Sequence, residues 1–184
     1  GLLDRTIKVR PAFATKQAMP CCAVLDADNG LGLVASQRAT DMAINMARQM
    51  GLGAVAVRNS SHFGAAGYYA DRAAAQGLIG LAFTNAMPAI APTGGTEGLL
   101  GTNPIGAAFP VPNADPVIAD MATAMVARSR IRHALAAGQK TIPEGWALDP
   151  SGRPTTDPAV AVKGSLLPIG GPKGYALALM VEIL

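Results

Sequence analysis

One segment, Gly53 to Asn85, constrains the fold more than any other: "GAVAVRNSSHFGAAGYYADRAAAQGLIGLAFTN". A short apolar run leads into a polar loop, then an alanine-rich stretch, then a second apolar run. Ala66, Tyr69, Ala70, Ala73 and Ala74 recur at helical spacing, which predicts a helix over Ala65 to Gln76. Gly77 supplies its stop. "GAVAV" predicts a short buried strand, and "LIGLAFTN" predicts the next one. A strand–loop–helix–strand unit of this kind builds layered α/β folds. Aromatic residues make up only 4% of the chain, so its core must be built from Ala, Val, Leu, Ile and Met. Small side chains suit close packing of helices on a sheet.

The same reading extends along the chain. "MPCCAVLDADNGLG" predicts a strand and a turn at Asp28-Asn29-Gly30. Ser36 can cap the helix that follows, whose Ala39, Met42, Ala43, Met46, Ala47 and Met50 share a face. Gly51 ends it. Residues 86–116 are rich in Gly and Pro and read as loop with short strands. "PVIADM" predicts a strand, and "ATAMVARSRIRHALAAG" a helix ended by Gly138. Residues 139–174 form a long irregular excursion, a length that in compact domains usually marks function or an interface. The last stretch, "YALALMVEIL", is an apolar helix with no closing Gly or Asn, so the expectation is a piece of a longer protein.

Composition excludes several classes. Net charge is +3, and Lys and Arg are scattered without interleaved aromatics, which argues against nucleic acid. No apolar run reaches the roughly 18 residues that a membrane span needs. "GLLDRTIKVR" has no signal-peptide hydrophobic region. Cys21 and Cys22 are adjacent, with no CxxC and no zinc-type spacing to either histidine, so no metal site is expected. A reducing cytoplasm is the simplest setting.

Four stretches can carry chemistry. In "SSHFGAA" a loop becomes a helix, whose first N–H groups lack partners and carry partial positive charge. Gly64 allows close backbone approach, so a phosphate or carboxylate can bind there with His62 donating. The competing reading is that His62 caps the helix or pairs with a carbonyl. "GGPKG", Gly170 to Gly174, also precedes a helix and adds the charge of Lys173; it is not a Walker loop, and an ordinary glycine-rich helix start explains it equally. Asp120 stands at the end of a strand, where open α/β sheets hold ligands, and can accept from a ribose or cap a helix. Arg128 can clamp a carboxylate with two parallel hydrogen bonds, or be a solvated helix arginine. In "LLGTNPIG", Thr102 and Asn103 can orient a small polar ligand or form only an Asx-type turn. No GxGxxG is present, so the Rossmann fingerprint is missing.

Taken together, "RNSSHFGAAGYYADRA", "LAFTNAMPAIAPTGG", "GTNPIGAAFP", "IADMATAMVARSRI", "IPEGWALDPSGRPTTDP" and "LLPIGGPKGYALALMVEIL" resemble the type-2 malate/L-lactate dehydrogenase family. These motifs occur in the family's order and span most of the chain. The resemblance implies an NAD(P)-dependent oxidoreductase, moving a hydride between nicotinamide and a 2-keto/2-hydroxy acid or cyclic imino acid. It implies an α/β, non-Rossmann sandwich around a mixed, largely antiparallel sheet with flanking helices, and a cytoplasmic homodimer. It places His62, Phe63, Gly64, Ala65 and Ala66 against NAD or NADP, together with Asp120, Met121, Ala122, Pro172 and Lys173. Thr102, Arg128 and Ser129 would approach substrate.

The sequence departs from that family in one respect. The family's proton donor is the histidine of a Ser-His-Gly motif in an N-terminal helical region, and no such motif is present. The expectation is therefore the family's cofactor-binding core over residues 1–184, without the N-terminal helical region or the final helical portion. His62 is a minor candidate for catalysis. The rival reading is a catalytically incomplete nucleotide-binding module, or a dimer partner.

Overall fold

The computed structural model describes residues 6–184. Its elements are β1 (Ala14–Met19), β2 (Cys22–Asp26), α1 (Gly32–Met50), β3 (Ala54–Arg58), α2 (Ala66–Ala74), β4 (Gly80–Phe83), β5 (Ile105–Val111), β6 (Ala114–Met121), α3 (Arg128–Ala136), β7 (Ala147–Leu148), β8 (Pro154–Thr155), α4 (Pro158–Ala161) and α5 (Pro172–Ile183). This is a mixed α/β chain. It divides into two compact units: Gly1–Ala82 with Gly106–Ala119, and Phe83–Ile105 with Asp120–Leu184.

In the first unit, β1, β2 and β3 form one sheet in that order, β1–β2 antiparallel and β2–β3 parallel. Leu25, Ala27, Ala35 and Ala39 make the core between this sheet and α1, with Phe13, Val55 and Val57 packed against it. β3 is not the buried strand that "GAVAV" predicts. It has β2 on one side, and Ala54, Ala56 and Arg58 are exposed while Val55 and Val57 are half-buried. An apolar run of small residues cannot reveal by itself which face is covered. The turn after β2 is as expected, with Asp28 and Asn29 at positive φ.

A second sheet runs β4-β5-β6, and α2 lies on it at backbone contact. A Cβ on Gly80 would sit 2.1 Å from the Ala70 carbonyl oxygen, and one on Gly106 would sit 2.5 Å from the Ala66 carbonyl carbon. The alanine face of α2 and the glycines beneath it are two halves of one close approach. Ala70, Ala74 and Ala108 form the resulting cluster. Arg72 of α2 pairs with Asp41 of α1.

α1 corrects two expectations. It starts at Gly32, so Ser36 stands a full turn inside it and is not its cap; Ser36 bonds the Tyr69 phenol instead. The N-cap residue, Leu31, offers no side-chain bond, and the Gly32 N–H is satisfied from far along the chain by Ser61 Oγ at 2.9 Å. The buried set is Gly32, Ala35, Ala39 and Ile44, whereas Met50 is 54% exposed.

The second unit is built on the largest core, in which Ile90, Ile131, Ala147 and Ala178 are fully buried. The predicted helix over residues 122–138 is shorter and begins at Arg128. Residues before it form bends and an isolated bridge instead, with Ala124 bridged to Pro168 and Met125 N–H bonded to the Leu167 carbonyl. The excursion over residues 139–174 is ordered: β7 and β8 pair antiparallel, Asp157 caps α4, and Leu166 bridges to both Ile90 and Ala147. Its tightest turn is organised by Asp149, which accepts from Ser151 Oγ at 2.6 Å and from the backbone N–H groups of Ser151 and Arg153. Those donors, the Ser151 hydroxyl first, lower the Asp149 pKa to about 2. A lowered folded value means a contribution that is present above the unfolded carboxylate range and lost as pH falls toward about 2. Asp149→Asn should therefore reduce Tm at pH 7, and the gap from the parent should close between about pH 4 and pH 2. Parallel melting curves at several pH values measure it.

Candidate functional site

The His62 segment is held by the ends of two strands. Asp26, at the end of β2, accepts from Asn59 Nδ2 at 3.0 Å and from Arg58. The Asn59 amide, then the Asp28 backbone N–H, hold the Asp26 carboxyl below its usual pKa. Asn59 takes positive φ, and its carbonyl receives the Asn29 N–H at 2.7 Å. Ser61 then reaches the start of α1, donating to the Gly30 carbonyl as well as accepting from Gly32.

His62 itself is exposed, and its Nδ1 accepts the Gly64 N–H at 3.0 Å. A neutral imidazole whose Nδ1 accepts carries its proton on Nε2, so it offers an outward-facing donor. Gly64 has φ +89, and a Cβ there would also approach Leu33. Phe63 stacks on Tyr69 with ring centroids 5.0 Å apart, and the Tyr69 hydroxyl donates to the Phe63 carbonyl. Ala65 is the N-cap residue of α2 and gives no side-chain bond. His62 is therefore not the helix cap: its ring nitrogen serves its own turn. Ala66 is buried in the first turn of α2.

The other predicted residues belong to the second unit. Asp120 and Met121 close β6 and are exposed; Ala122 follows, half-buried. Asp120 does not cap α3, whose N-cap residue is Ala127. Gly170 and Gly171 take φ of 59° and 63°, and Pro172 begins α5. Pro at that position costs no hydrogen bond. No side chain caps α5, a Cβ on Gly170 or Gly171 would meet open space, and Lys173 is exposed in the first turn.

Thr102 is half-buried, and its carbonyl accepts both the Thr123 N–H at 2.9 Å and the Thr123 hydroxyl at 3.0 Å. Asn103 neither faces a ligand nor makes an Asx turn. It is fully buried, accepts the Ala86 N–H at 3.0 Å, and donates to the Ala178 carbonyl and to Glu182. Arg128 is the first residue of α3, half-buried, and donates to the carbonyls of Val162 and Gly164 at 3.3 and 3.2 Å. Burial lowers its pKa, and Arg132 one turn on adds to the effect. Ser129 is exposed beside it.

Sequence reasoning missed Ser61 as the partner of α1. The signal was weak: a serine before a histidine looks like loop. It also missed the buried polar residues Thr123 and Ser165, since burial of a small hydroxyl leaves no periodic trace.

Comparison with known proteins fixes the family. The malate/L-lactate dehydrogenase family matches residues 1–184, the whole chain. The chain belongs to that family. It is 50% identical over 178 residues to an L-sulfolactate dehydrogenase of Methanocaldococcus jannaschii, covering 97% of this chain and 51% of that protein. A malate dehydrogenase of Pyrococcus abyssi is 45% identical over 192 residues, covering all of this chain and 52% of the relative. Among solved structures, the sulfolactate dehydrogenase from Methanocaldococcus jannaschii superposes with TM-score 0.90 at 48% identity, over 99% of this chain and 52% of that one. The delta1-piperideine-2-carboxylate reductase from Pseudomonas syringae pvar. tomato gives TM-score 0.94 at 33% identity, over 100% and 55%. The chain thus spans about half the length of the curated relatives it matches. Among the described residues of this family member, no helix is long and apolar enough to cross a membrane, and no group of three or more His, Cys, Asp or Glu side chains could hold a metal ion.

Proposed function

We propose that this chain is the cofactor- and substrate-holding part of an NAD(P)-dependent oxidoreductase acting on a 2-keto/2-hydroxy acid or cyclic imino acid. The observation that carries the reading is the family match over residues 1–184, together with 50% identity over 178 residues to an L-sulfolactate dehydrogenase. Relatives named as an NADP(+) enzyme and as a Delta(1)-pyrroline-2-carboxylate reductase support the cofactor and the two substrate classes.

The groups present suit a dinucleotide. Two helix starts, α2 and α5, have no side-chain cap, and the positive ends of their dipoles suit phosphate oxygens. The open space at Gly170 and Gly171 lets a ligand meet backbone, and Lys173 adds a cation. In this reading, carried by the family resemblance, His62, Phe63, Gly64, Ala65, Ala66, Asp120, Met121, Ala122, Pro172 and Lys173 are the cofactor contacts, Asp120 accepting from ribose hydroxyls. When bound, the nicotinamide supplies or accepts the hydride. The chain's own residues orient the acid and balance its charge.

Arg128 is built for that task. Two carbonyls fix its guanidinium plane and leave further N–H donors for a carboxylate or sulfonate. The first turn of α3 contains no acidic residue to offset the arginine, so an anion there also suits the helix dipole. Thr102 and Ser129 would add hydroxyl contacts. The Ser-His-Gly proton donor of the family is not in this sequence, and His62 already serves as a turn acceptor through Nδ1. The proposal therefore assigns the proton step outside residues 1–184. It includes the family's non-Rossmann sandwich around a mixed, largely antiparallel sheet, supported by the β1-β2-β3 sheet, which combines an antiparallel with a parallel pairing. It also includes a cytoplasmic homodimer, the dimer supported by exposed Leu81 and Val117.

Titration with NADH and NADPH, followed by nicotinamide fluorescence, tests the reading, with a panel of 2-oxo acids and cyclic imines on the full-length protein. Binding without turnover in the full-length protein would favour the incomplete-module alternative. Binding of neither nucleotide would sink both. Within the site, Lys173→Ala should weaken nucleotide binding roughly tenfold, the loss of one phosphate-facing cation, and His133→Ala should not. Arg128→Ala should raise KM for acidic substrates roughly tenfold or more, with kcat changed less. Steady-state kinetics on the full-length enzyme decides, and an unchanged KM would remove Arg128 from the substrate site.

A further inference from the structure

Cys21 stands in the turn between β1 and β2 and Cys22 is the first residue of β2, both far along the chain from every residue assigned above. Their sulfur atoms are 3.7 Å apart, and both residues are half-buried, within reach of solvent. The turn is well fixed. The Cys21 carbonyl accepts the Ala54 N–H at 2.8 Å, and Cys22 opens the β2 ladder beside Ala54.

Two sulfurs so placed have two chemical options: bond to each other, or share a third atom. The first is opposed by covalent geometry. Neighbouring Cα atoms lie about 3.8 Å apart across a trans peptide. A relaxed disulfide needs at least about 4.4 Å, and its sulfurs must close to about 2.05 Å. The second needs almost no movement. Two thiolates at about 2.3 Å from a tetrahedral ion are separated by about 3.8 Å. Met19, 62% exposed, is directly across from Cys22 in the β1–β2 register, and opposed residues of an antiparallel pair share a face. Cys21, Cys22 and Met19 are soft sulfur side chains, a type that selects thiophilic ions over hard ones.

We propose that Cys21 and Cys22 form a two-thiolate chelating site for a thiophilic divalent ion of the zinc or cadmium type, with solvent completing the coordination. Binding forms two metal–sulfur bonds and releases both thiol protons to solvent; no electron is transferred.

The test is titration of the full, reduced chain with cadmium chloride, read by the ultraviolet thiolate-to-metal charge-transfer band. One ion per chain is expected, with both thiols protected from Ellman's reagent. Cys21→Ser and Cys22→Ser should each weaken binding roughly a hundredfold, because each removes the second arm of a chelate. The double serine variant should show no band while keeping the parent melting temperature. Three results would overturn the proposal: no band, one ion shared by two chains, or a band unchanged in either single variant. A vicinal disulfide formed readily by glutathione disulfide in the metal-free chain would overturn it as well, since the spacing would then favour direct bonding.

Discussion

Asn103→Ala is expected to destabilise the second unit by about 3 kcal/mol, because it removes a fully buried amide together with its bonds to Ala86, Ala178 and Glu182. The Asn103 side chain is wholly out of water. Its Oδ1 takes the Ala86 N–H, and its Nδ2 divides between the Ala178 carbonyl and the Glu182 carboxylate at 2.8 Å. The backbone at Asn103 is also at positive φ, where Asn is tolerated far better than Ala. Truncation therefore loses bonds from the "GTNP" loop to α5 and to the segment after β4, and adds strain at its own position. Urea unfolding should show a lowered midpoint with little change in slope. Asn103→Asp separates the contributions. It keeps the acceptor for Ala86 but sets a carboxylate against Glu182, so its cost should be larger at pH 7 than at pH 4. An alanine variant with an unshifted midpoint would mean that the loop does not depend on this hub. Thr102, the neighbouring residue, should then be reconsidered as a positioned substrate contact.

Gly32→Ala is the second large effect, at about 3 kcal/mol, and it acts on the first unit. A Cβ at this position would sit 2.0 Å from the Ser61 carbonyl oxygen and 2.6 Å from that of His62. Both are backbone atoms, so no side-chain rotation relieves the clash. The start of α1 must part from the loop, and the Ser61 Oγ bond that stands in for a helix cap is lost with it. Gly51→Ala provides the control. Gly51 ends the same helix at φ +83 with open space around it, so only the backbone preference is at stake, about 1 kcal/mol. Thermal unfolding should rank Gly32→Ala well below Gly51→Ala. Hydrogen exchange should rise across residues 59–65 in the first variant alone. Equal costs for the two would show that the His62 segment is not seated on α1.

Much of the candidate site was legible without coordinates. The alanine face of α2, its stop at Gly77, the turn at Asp28 and Asn29, and the glycine-rich start of α5 all follow from local rules. Each depends on side chains within a turn or two of one another: 3.6-residue periodicity, positive φ at Gly or Asn, and Pro at a first helical position. Where interactions are local, neighbouring residues carry all the information that the structure uses.

What escaped sequence reading depends on partners distant in the chain. Ser36 looks like the cap of α1, yet Ser61 serves its first N–H. β1 gives no hydrophobic signal because all six of its residues are exposed. Residues 122–127 have helical composition but form bends, since Thr123 and Met125 find backbone partners at Thr102 and Leu167. The amide of Asn103 could have faced a ligand, and only the arrival of α5 commits it to Ala178 and Glu182. The chain's own order of residues therefore determined the family, the helices and the turns. Tertiary structure alone decided which polar groups are consumed in holding the fold and which remain free for chemistry, because a hydrogen bond between remote segments exists only after packing has brought them together.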